Sequence, residues 1–285
     1  MADRVVTSVD DRRAAILDVI RGARQGIALS LFRCQDEEIL AELARATARG
    51  VTVEALVTAR AKGGNKKLVQ LYRALEQTGA SVSAYNNAEV KYHAKYLVAD
   101  DGPAIVASLN FTTKCLSRTL DALVITYDAG VVCGLRRLMA ADRERRPLPA
   151  PLSPRLIVGP ELARAQLTEI IDGARRRIRL VDAKLSDPDL VERLNAKRAA
   201  GVTVEVFSTK WVGGLKSHGK ILLVDDRIAV IGSLAMTRSS LDCRREVAIV
   251  VESPAAAAQV GRFFDALEAP AEDVLVPLEA GEAVC

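Results

Sequence analysis

The sequence predicts an α/β protein made of two similar mixed-sheet halves packed about a pseudo-twofold axis. Three observations predict it. First, whole segments recur at one offset. GARQGIALSLF, from Gly22, aligns with GARRRIRLVDA, from Gly173, and ARGVTVEALV, from Ala48, aligns with AAGVTVEVFS, from Ala199, both 151 residues apart. Second, the chain has only two histidines, and both head the same pattern, HAKYLVAD from His93 and HGKILLVD from His218. Third, each copy alternates helical and strand patterns early and then runs strands in succession, the order expected of a mixed sheet with helices on both faces. Similar units joined in one chain pack as a symmetric homodimer would. The halves are expected at residues 1–147 and 155–268, with a loosely held tail at 269–285.

The elements follow in order. Each copy opens on an amphipathic helix, marked by Ile16, Leu17, Val19 and Ile20 in one and by Leu167, Ile170 and Ile171 in the other. A strand follows, Ile27–Phe32 or Ile178–Ala183. The next helix pairs Ile39 with Leu43 and Leu190 with Leu194 at i,i+4 spacing. Asp187 followed by Pro188 supplies an N-cap and a first-turn proline. Gly50 and Gly201 stand where these helices end, as C′ residues. Strands Val51–Val57 and Val202–Phe207 come next. The first copy then carries 26 extra residues before its histidine, with a helical pattern over Lys66–Gln77 and a strand-like SVSAY. Three further strands in each copy hold the histidine, a serine and a carboxylate, the last at Ala122–Thr126 and Val247–Val251. Closing helices are expected near Ala129–Arg145 and Pro254–Glu268. Between the copies, the proline-rich RPLPAPLSP, Arg146–Pro154, reads as the linker.

Composition sets broad limits. At 285 residues, 49% apolar and 27% charged, the chain is long enough to bury a large core. A net charge of +4 permits a phosphorylated or polyanionic partner without demanding one. Five cysteines without a CxxC spacing read as reduced thiols rather than disulfides or zinc ligands. MADRVVTSVDDRR lacks the apolar stretch of a signal peptide, and no apolar run has the length of a membrane span. A cytoplasmic protein is expected, a monomer containing an internal pseudo-dimer.

The repeat carries chemistry. Fifteen residues after each histidine comes a serine, Ser108 or Ser233, and twenty-eight after it a carboxylate, Asp121 or Glu246. Lys95 and Lys220 stand two residues beyond their histidines, on the same face of a strand. Asp100 and Asp225, seven residues on, read as ties for a strand turn. Ser108, Ser233 and Asn110 supply the donors that hold phosphoryl oxygens, and the lysines supply positive charge. One histidine can then attack phosphorus while the other protonates the leaving oxygen and later deprotonates the incoming water or alcohol. A nucleophilic imidazole needs a fixed tautomer, and Asp121 and Glu246 are the candidates to fix it. An exposed position at a strand start is the alternative for both.

This duplicated H-x-K-x4-D with its Ser–x–Asn element resembles the phospholipase D superfamily, over roughly residues 10–268. The resemblance implies a mixed α/β fold, a site between the halves that uses no metal or other cofactor, and a two-step route through phosphohistidine. It also implies His93 as nucleophile and His218 as acid and base. Two positions depart from the pattern. Ala107 precedes Ser108 where glycine is usual, although Gly232 is retained, and Ala235 replaces the second asparagine.

The leading substrate reading is a phospholipid, hydrolysed or transferred to an alcohol, with peripheral membrane contact. The alternative is a nucleic-acid phosphodiesterase. The intact double motif argues against a third class, a non-catalytic scaffold. The basic stretch RAKGGNKK, Arg60–Lys67, reads as a solvated loop or as a second phosphate contact, and Trp211 as a cleft or a core residue. Arg175–Arg177 reads as a solvated helix end.

Overall fold

A computed structural model describes residues 3–60 and 65–267. Along the first half run β1 (Arg4–Val6), α1 (Val9–Gly22), β2 (Gly26–Leu31), α2 (Glu37–Ala48), β3 (Thr52–Thr58), α3 (Asn65–Glu76) and β4 (Ser81–Tyr85). Then come β5 (Lys91–Tyr92), β6 (Tyr96–Ala99), β7 (Ala104–Ala107), α4 (Thr113–Ser117), β8 (Thr119–Leu120), β9 (Leu123–Thr126) and α5 (Ala129–Glu144). The second half has β10 (Leu156–Val158), α6 (Ala163–Asp172), β11 (Arg177–Val181), α7 (Pro188–Ala199) and β12 (Thr203–Phe207). It continues with β13 (Trp211–Val212), β14 (Leu215–Ser217), β15 (Ile221–Val224), β16 (Ile228–Gly232), α8 (Arg238–Asp242), β17 (Arg244–Arg245), β18 (Val247–Val251) and α9 (Pro254–Asp265).

The two large sheets repeat one topology. The first has the order β1-β9-β7-β6-β2-β3-β4 and the second β10-β18-β16-β15-β11-β12. Six strands correspond in order and direction, and β4, from the extra segment of the first copy, adds a seventh. Both sheets are mixed: β2 is parallel to β3 and antiparallel to β6, and β11 relates to β12 and β15 in the same way. The central strands are apolar on both faces because both faces are covered. Outside the first sheet, Ile16, Ile20, Ile39 and Leu43 of α1 and α2 pack with Leu29 and Leu97. Outside the second, Leu167, Ile171, Leu190 and Leu194 do the same with Ile178 and Leu180. The inner faces share one core, with Val98, Val106 and Val124 meeting Leu223, Ile231 and Ile249, and with α5 and α9 contributing Leu138 and Phe264.

Local chemistry recurs with the topology. Asp36 and Asp187 cap α2 and α7, accepting from the amides of Ile39 and Leu190. Each is bridged by an arginine of the preceding helix, Arg13 at 2.9 Å and Arg164 at 2.8 Å. Gly50 and Gly201 both have φ of +87°, the left-handed conformation that ends a helix and favours glycine.

Some expectations are corrected. The short edge strands β1 and β10 were not anticipated; each lies antiparallel to the carboxylate strand of its own half. The His–x–Lys tripeptides are not inside a strand. They link β5 to β6 and β14 to β15. Cys34, Cys115 and Cys133 are free thiols, but Cys243 is in a disulfide, contrary to the reading of every cysteine as reduced. Residues 61–64 of the basic stretch and the expected tail at 269–285 lie outside the described residues. Among the described residues, no helix is long and apolar enough to cross a membrane.

Candidate active site

Two small parallel bridges between the halves build the site. β5 pairs with β17 in the register Arg244 with Lys91 and Arg245 with Tyr92. The next pair along is Glu246 and His93, and the His93 amide donates to Arg245 O at 3.0 Å. β14 pairs with β8 as Lys216 with Thr119 and Ser217 with Leu120, so the next pair is His218 and Asp121. Each histidine therefore meets the carboxylate of the opposite half. His93 Nδ1 lies 2.9 Å from Glu246 Oε2, and His218 Nδ1 lies 3.1 and 3.0 Å from the two oxygens of Asp121.

Buried donors orient both carboxylates. Ser108 Oγ donates to Asp121 Oδ1 at 2.6 Å and Thr119 Oγ1 to Oδ2 at 2.6 Å. Ser240 Oγ donates to Glu246 Oε1 at 2.9 Å. Both carboxylates are fully buried. Burial disfavours their charged forms, but the adjacent histidines and lysines carry both pKa values below the ordinary range. For His93, burial dominates and pushes the pKa well down, which keeps the ring neutral. For His218 the largest influence is Asp121, which raises the pKa, but burial together with Lys220 and Lys95 outweighs it and the net shift is down. The His93 ring also packs on Phe32, with centroids 4.7 Å apart.

The lysines lie beside the imidazoles. Lys95, fully buried, donates to His93 O at 2.8 Å and has its Nζ 3.1 Å from His93 Nδ1 and 3.4 Å from Nε2. Burial lowers its pKa to about 7. Lys220 Nζ donates to His218 O. Asn110 lies at the wall of a cavity of about 370 Å³ that His218 also lines.

Other expected site residues take different places. Ser108 and Ser233 are fully buried, and their hydroxyls bond within the carboxylate strand: Ser108 to Asp121 and Ala122 O, Ser233 to Val247 O. These bonds hold Asp121 and the strand that follows Glu246. Asp100 accepts from the amides of Arg24, Gln25 and Gly26, and Asp225 from those of Arg175, Arg176 and Arg177. They tie each motif strand to the start of β2 or β11. Of that arginine run, Arg177 pairs with Glu205 at 2.7 Å. Trp211 is 59% exposed on the β13–β14 hairpin that leads into His218, so it is not a core residue.

Besides Thr119 and Ser240, three residues escaped the sequence reading. Arg12, fully buried on α1, donates to the carbonyls of Thr7, Cys115, Thr119 and Asp121, fixing the segment that presents Asp121. An arginine on the buried face of an amphipathic helix gives no periodic signal. Phe32 has Ala183 as its repeat counterpart, so the duplication hid it. Asp182, buried at the end of β11, accepts from the amides of Lys184 and Met236, and burial raises its pKa. Its counterpart is Leu31, and a carboxylate aligned with leucine was a signal open to the repeat comparison.

Among the described residues, Cys115, Asp121 and His218 bring possible metal-ligand atoms within 4.8 Å of one another. Both oxygens of Asp121 already accept hydrogen bonds, and the positive charge of Lys220 acts on the same carboxylate. The donor set therefore reads as an imidazole–carboxylate pair, not as a vacant coordination shell.

Comparison with known proteins agrees with this architecture. The chain is 27% identical over 278 residues to a polyphosphate kinase of Mycolicibacterium gilvum (strain PYR-GCK), a match covering 85% of this chain and 38% of that protein. The chain thus spans well under half the length of that relative. A polyphosphate kinase from Porphyromonas gingivalis superposes with a TM-score of 0.74 at 18% identity, over 92% of this chain and 46% of that one. Phosphatidylserine synthase of Haemophilus influenzae Rd KW20 superposes with a TM-score of 0.72 at 14% identity, over 94% of this chain and 87% of the other. These likenesses establish the fold. The family model described as cardiolipin synthase, PLD-like domain, matches residues 16–143 and 207–268, which hold both histidines, both lysines and both carboxylates. That match takes in more than half of the chain, and the chain belongs to this PLD-like family of the phospholipase D superfamily.

Proposed function

We propose that the chain catalyses phosphoryl transfer at a phosphodiester through a phosphohistidine, with His93 as nucleophile and His218 as general acid and base. One observation carries the reading: each histidine is anchored at Nδ1 by a buried carboxylate of the other half, so a ring that carries its proton there has its lone pair on Nε2. The neutral ring of His93 keeps a lone pair for attack. In the first step, entered with the His218 ring protonated at both nitrogens, a bond forms from His93 Nε2 to phosphorus, the bond to the leaving oxygen breaks, and His218 gives that oxygen its Nε2 proton. In the second, water or an alcohol gives its proton to His218 and attacks phosphorus, and the bond to His93 breaks. Lys95, Lys220 and Asn110 stabilise the phosphoryl oxygens. Ser108, Thr119 and Ser240 act through the carboxylates as positioning residues. No cofactor takes part.

The description of the matching family supports a phospholipid substrate. A nucleic-acid phosphodiester is the second reading, favoured by the polar, cation-bearing wall of the cavity beside His218. The polyphosphate kinase relative adds a third phosphate-bearing class, the inorganic chain.

The test offers the purified protein phosphatidylcholine vesicles in one reaction and single- and double-stranded DNA in another, each with EDTA. Release of choline supports the lipid reading, and DNA cleavage supports the second. Loss of activity in EDTA overturns the cofactor-free scheme. His93→Ala and His218→Ala are expected to lower turnover by several orders of magnitude each. Near wild-type turnover in either variant overturns the shared site.

A further inference from the structure

The cavity beside His218 adjoins the histidine pair. We propose that it is a subsite for a second phosphate of the substrate, adjacent to the one being cleaved. The inference rests on the phosphoryl-transfer reading of the histidine pair and adds to it the substrate's charge pattern.

The cavity measures about 370 Å³, within the range of small-ligand sites. His218 forms part of its wall, so a group held in it is connected to the reacting centre. Lys114 and Lys216 bring two positive charges to the same wall. Among its described lining residues there is no carboxylate to neutralise them and no hydrocarbon side chain to receive an acyl chain. The side chains of Lys114 and Lys216 make no hydrogen bond or ion pair among the described residues, so their charge is available to a ligand. Asn110, 7% exposed, also lines the cavity, and its Oδ1 is buried without a hydrogen-bond partner. The two unpaired ammonium groups suit a second phosphate.

Two sources share this chemistry, the next phosphate of a nucleic-acid strand and the next phosphate of an inorganic chain. The experiment measures competition against hydrolysis of bis(p-nitrophenyl) phosphate by inorganic phosphate, by tripolyphosphate and by the trinucleotide dT3. Calorimetry measures direct binding of tripolyphosphate in parallel. Wild type is expected to prefer tripolyphosphate over phosphate by at least about tenfold, a preference that salt weakens. In the Lys114→Ala/Lys216→Ala double variant the ratio of the two inhibition constants is expected to collapse to within about twofold. A wild-type ratio near one, or a ratio unchanged in the double variant, overturns the subsite. Competition by dT3 as strong as that of tripolyphosphate identifies the nucleic-acid source, and competition by tripolyphosphate alone identifies the inorganic chain. If the protein binds tripolyphosphate through these lysines yet hydrolyses no diester, the covalent mechanism fails and the subsite stands.

Discussion

At the scale of single residues, the same side chain often does the same work twice. Asp100 and Asp225 each accept from three consecutive amides and each sit at positive φ, 43° and 53°. Asparagine tolerates that conformation, so Asp100→Asn removes charge and acceptor capacity without backbone strain. A loss of about 1.5–3 kcal/mol is expected from denaturant unfolding. Burial alone would raise these carboxyl pKa values, but the amide bonds bring them below the ordinary 3.8. A lowered folded-state pKa means that the stabilisation is complete above that ordinary value and is lost as pH falls through the folded-state value. The wild-type advantage over Asp100→Asn should therefore be full at neutral pH and shrink below about pH 4. The two site carboxylates differ in the step they serve. Glu246→Gln leaves His93 without its anchor, and Asp121→Asn does the same to His218. Both should lower kcat by about 10²–10⁴. Only Asp121→Asn should accumulate phosphohistidine in a quenched reaction with bis(p-nitrophenyl) phosphate, because its nucleophile is intact, p-nitrophenolate leaves without a proton, and the base of the second step is impaired. Accumulation in Glu246→Gln instead would exchange the two roles.

At the scale of elements, the decisive structures are the smallest. β2, β3, β11 and β12 were legible in the sequence because β-branched runs, capping aspartates and the terminal glycines Gly50 and Gly201 all agree. β5, β8, β14 and β17 were not, because two or three residues show no period. Yet these bridges determine that His93 meets Glu246 and His218 meets Asp121. The sequence showed four equivalent offsets but not the exchange between halves, since pairing across a sheet leaves no mark on spacing. The edge strands β1 and β10, three residues each, were missed for the same reason. Gly219 makes the β14–β8 bridge possible. Its amide donates to Leu120 O at 2.7 Å, and a Cβ there would stand 2.6 Å from that oxygen. Ala94 fills the equivalent place in the other bridge. Gly219→Ala should push His218 away from Asp121 and lower kcat by about 10², as misplacement near 1 Å does. Circular dichroism should show the fold retained. Unchanged kcat would mean that the bridge does not set the imidazole position.

At the scale of the whole molecule, the halves are joined by one shared core and by polar contacts that cross it. The pseudo-twofold packing was legible because the duplication is legible, and each unit then needs a second to cover its inner sheet face. The polar joint was not, because its buried members Arg245 and Asp142 lie far apart in sequence and have leucines, Leu120 and Leu267, at the repeat positions. Arg245, 4% exposed, donates to Asp142 of α5 at 2.9 Å, to Gly159 O at 2.7 Å and to Glu161 at 2.6 and 3.0 Å. Asp142 is itself buried, and burial is the main force raising its pKa, to about 7, against the pull of Arg245. Removing the arginine strands this carboxyl in the core between the halves. Arg245→Ala should therefore cost about 3–5 kcal/mol, the usual penalty for breaking one side of a buried pair. Replacing both buried partners, Arg245→Met with Asp142→Leu, should recover most of it, since the one charge left without its partner, Glu161, is 38% exposed and open to water. Arg245 directly precedes Glu246, so the same series reads out coupling between the joint and the site. In the double variant stability should return while turnover stays low, because a thioether in place of the guanidinium no longer fixes the strand that presents Glu246 to His93. Equal recovery of stability and turnover would show that the joint holds the halves together without setting the geometry of the histidine pair.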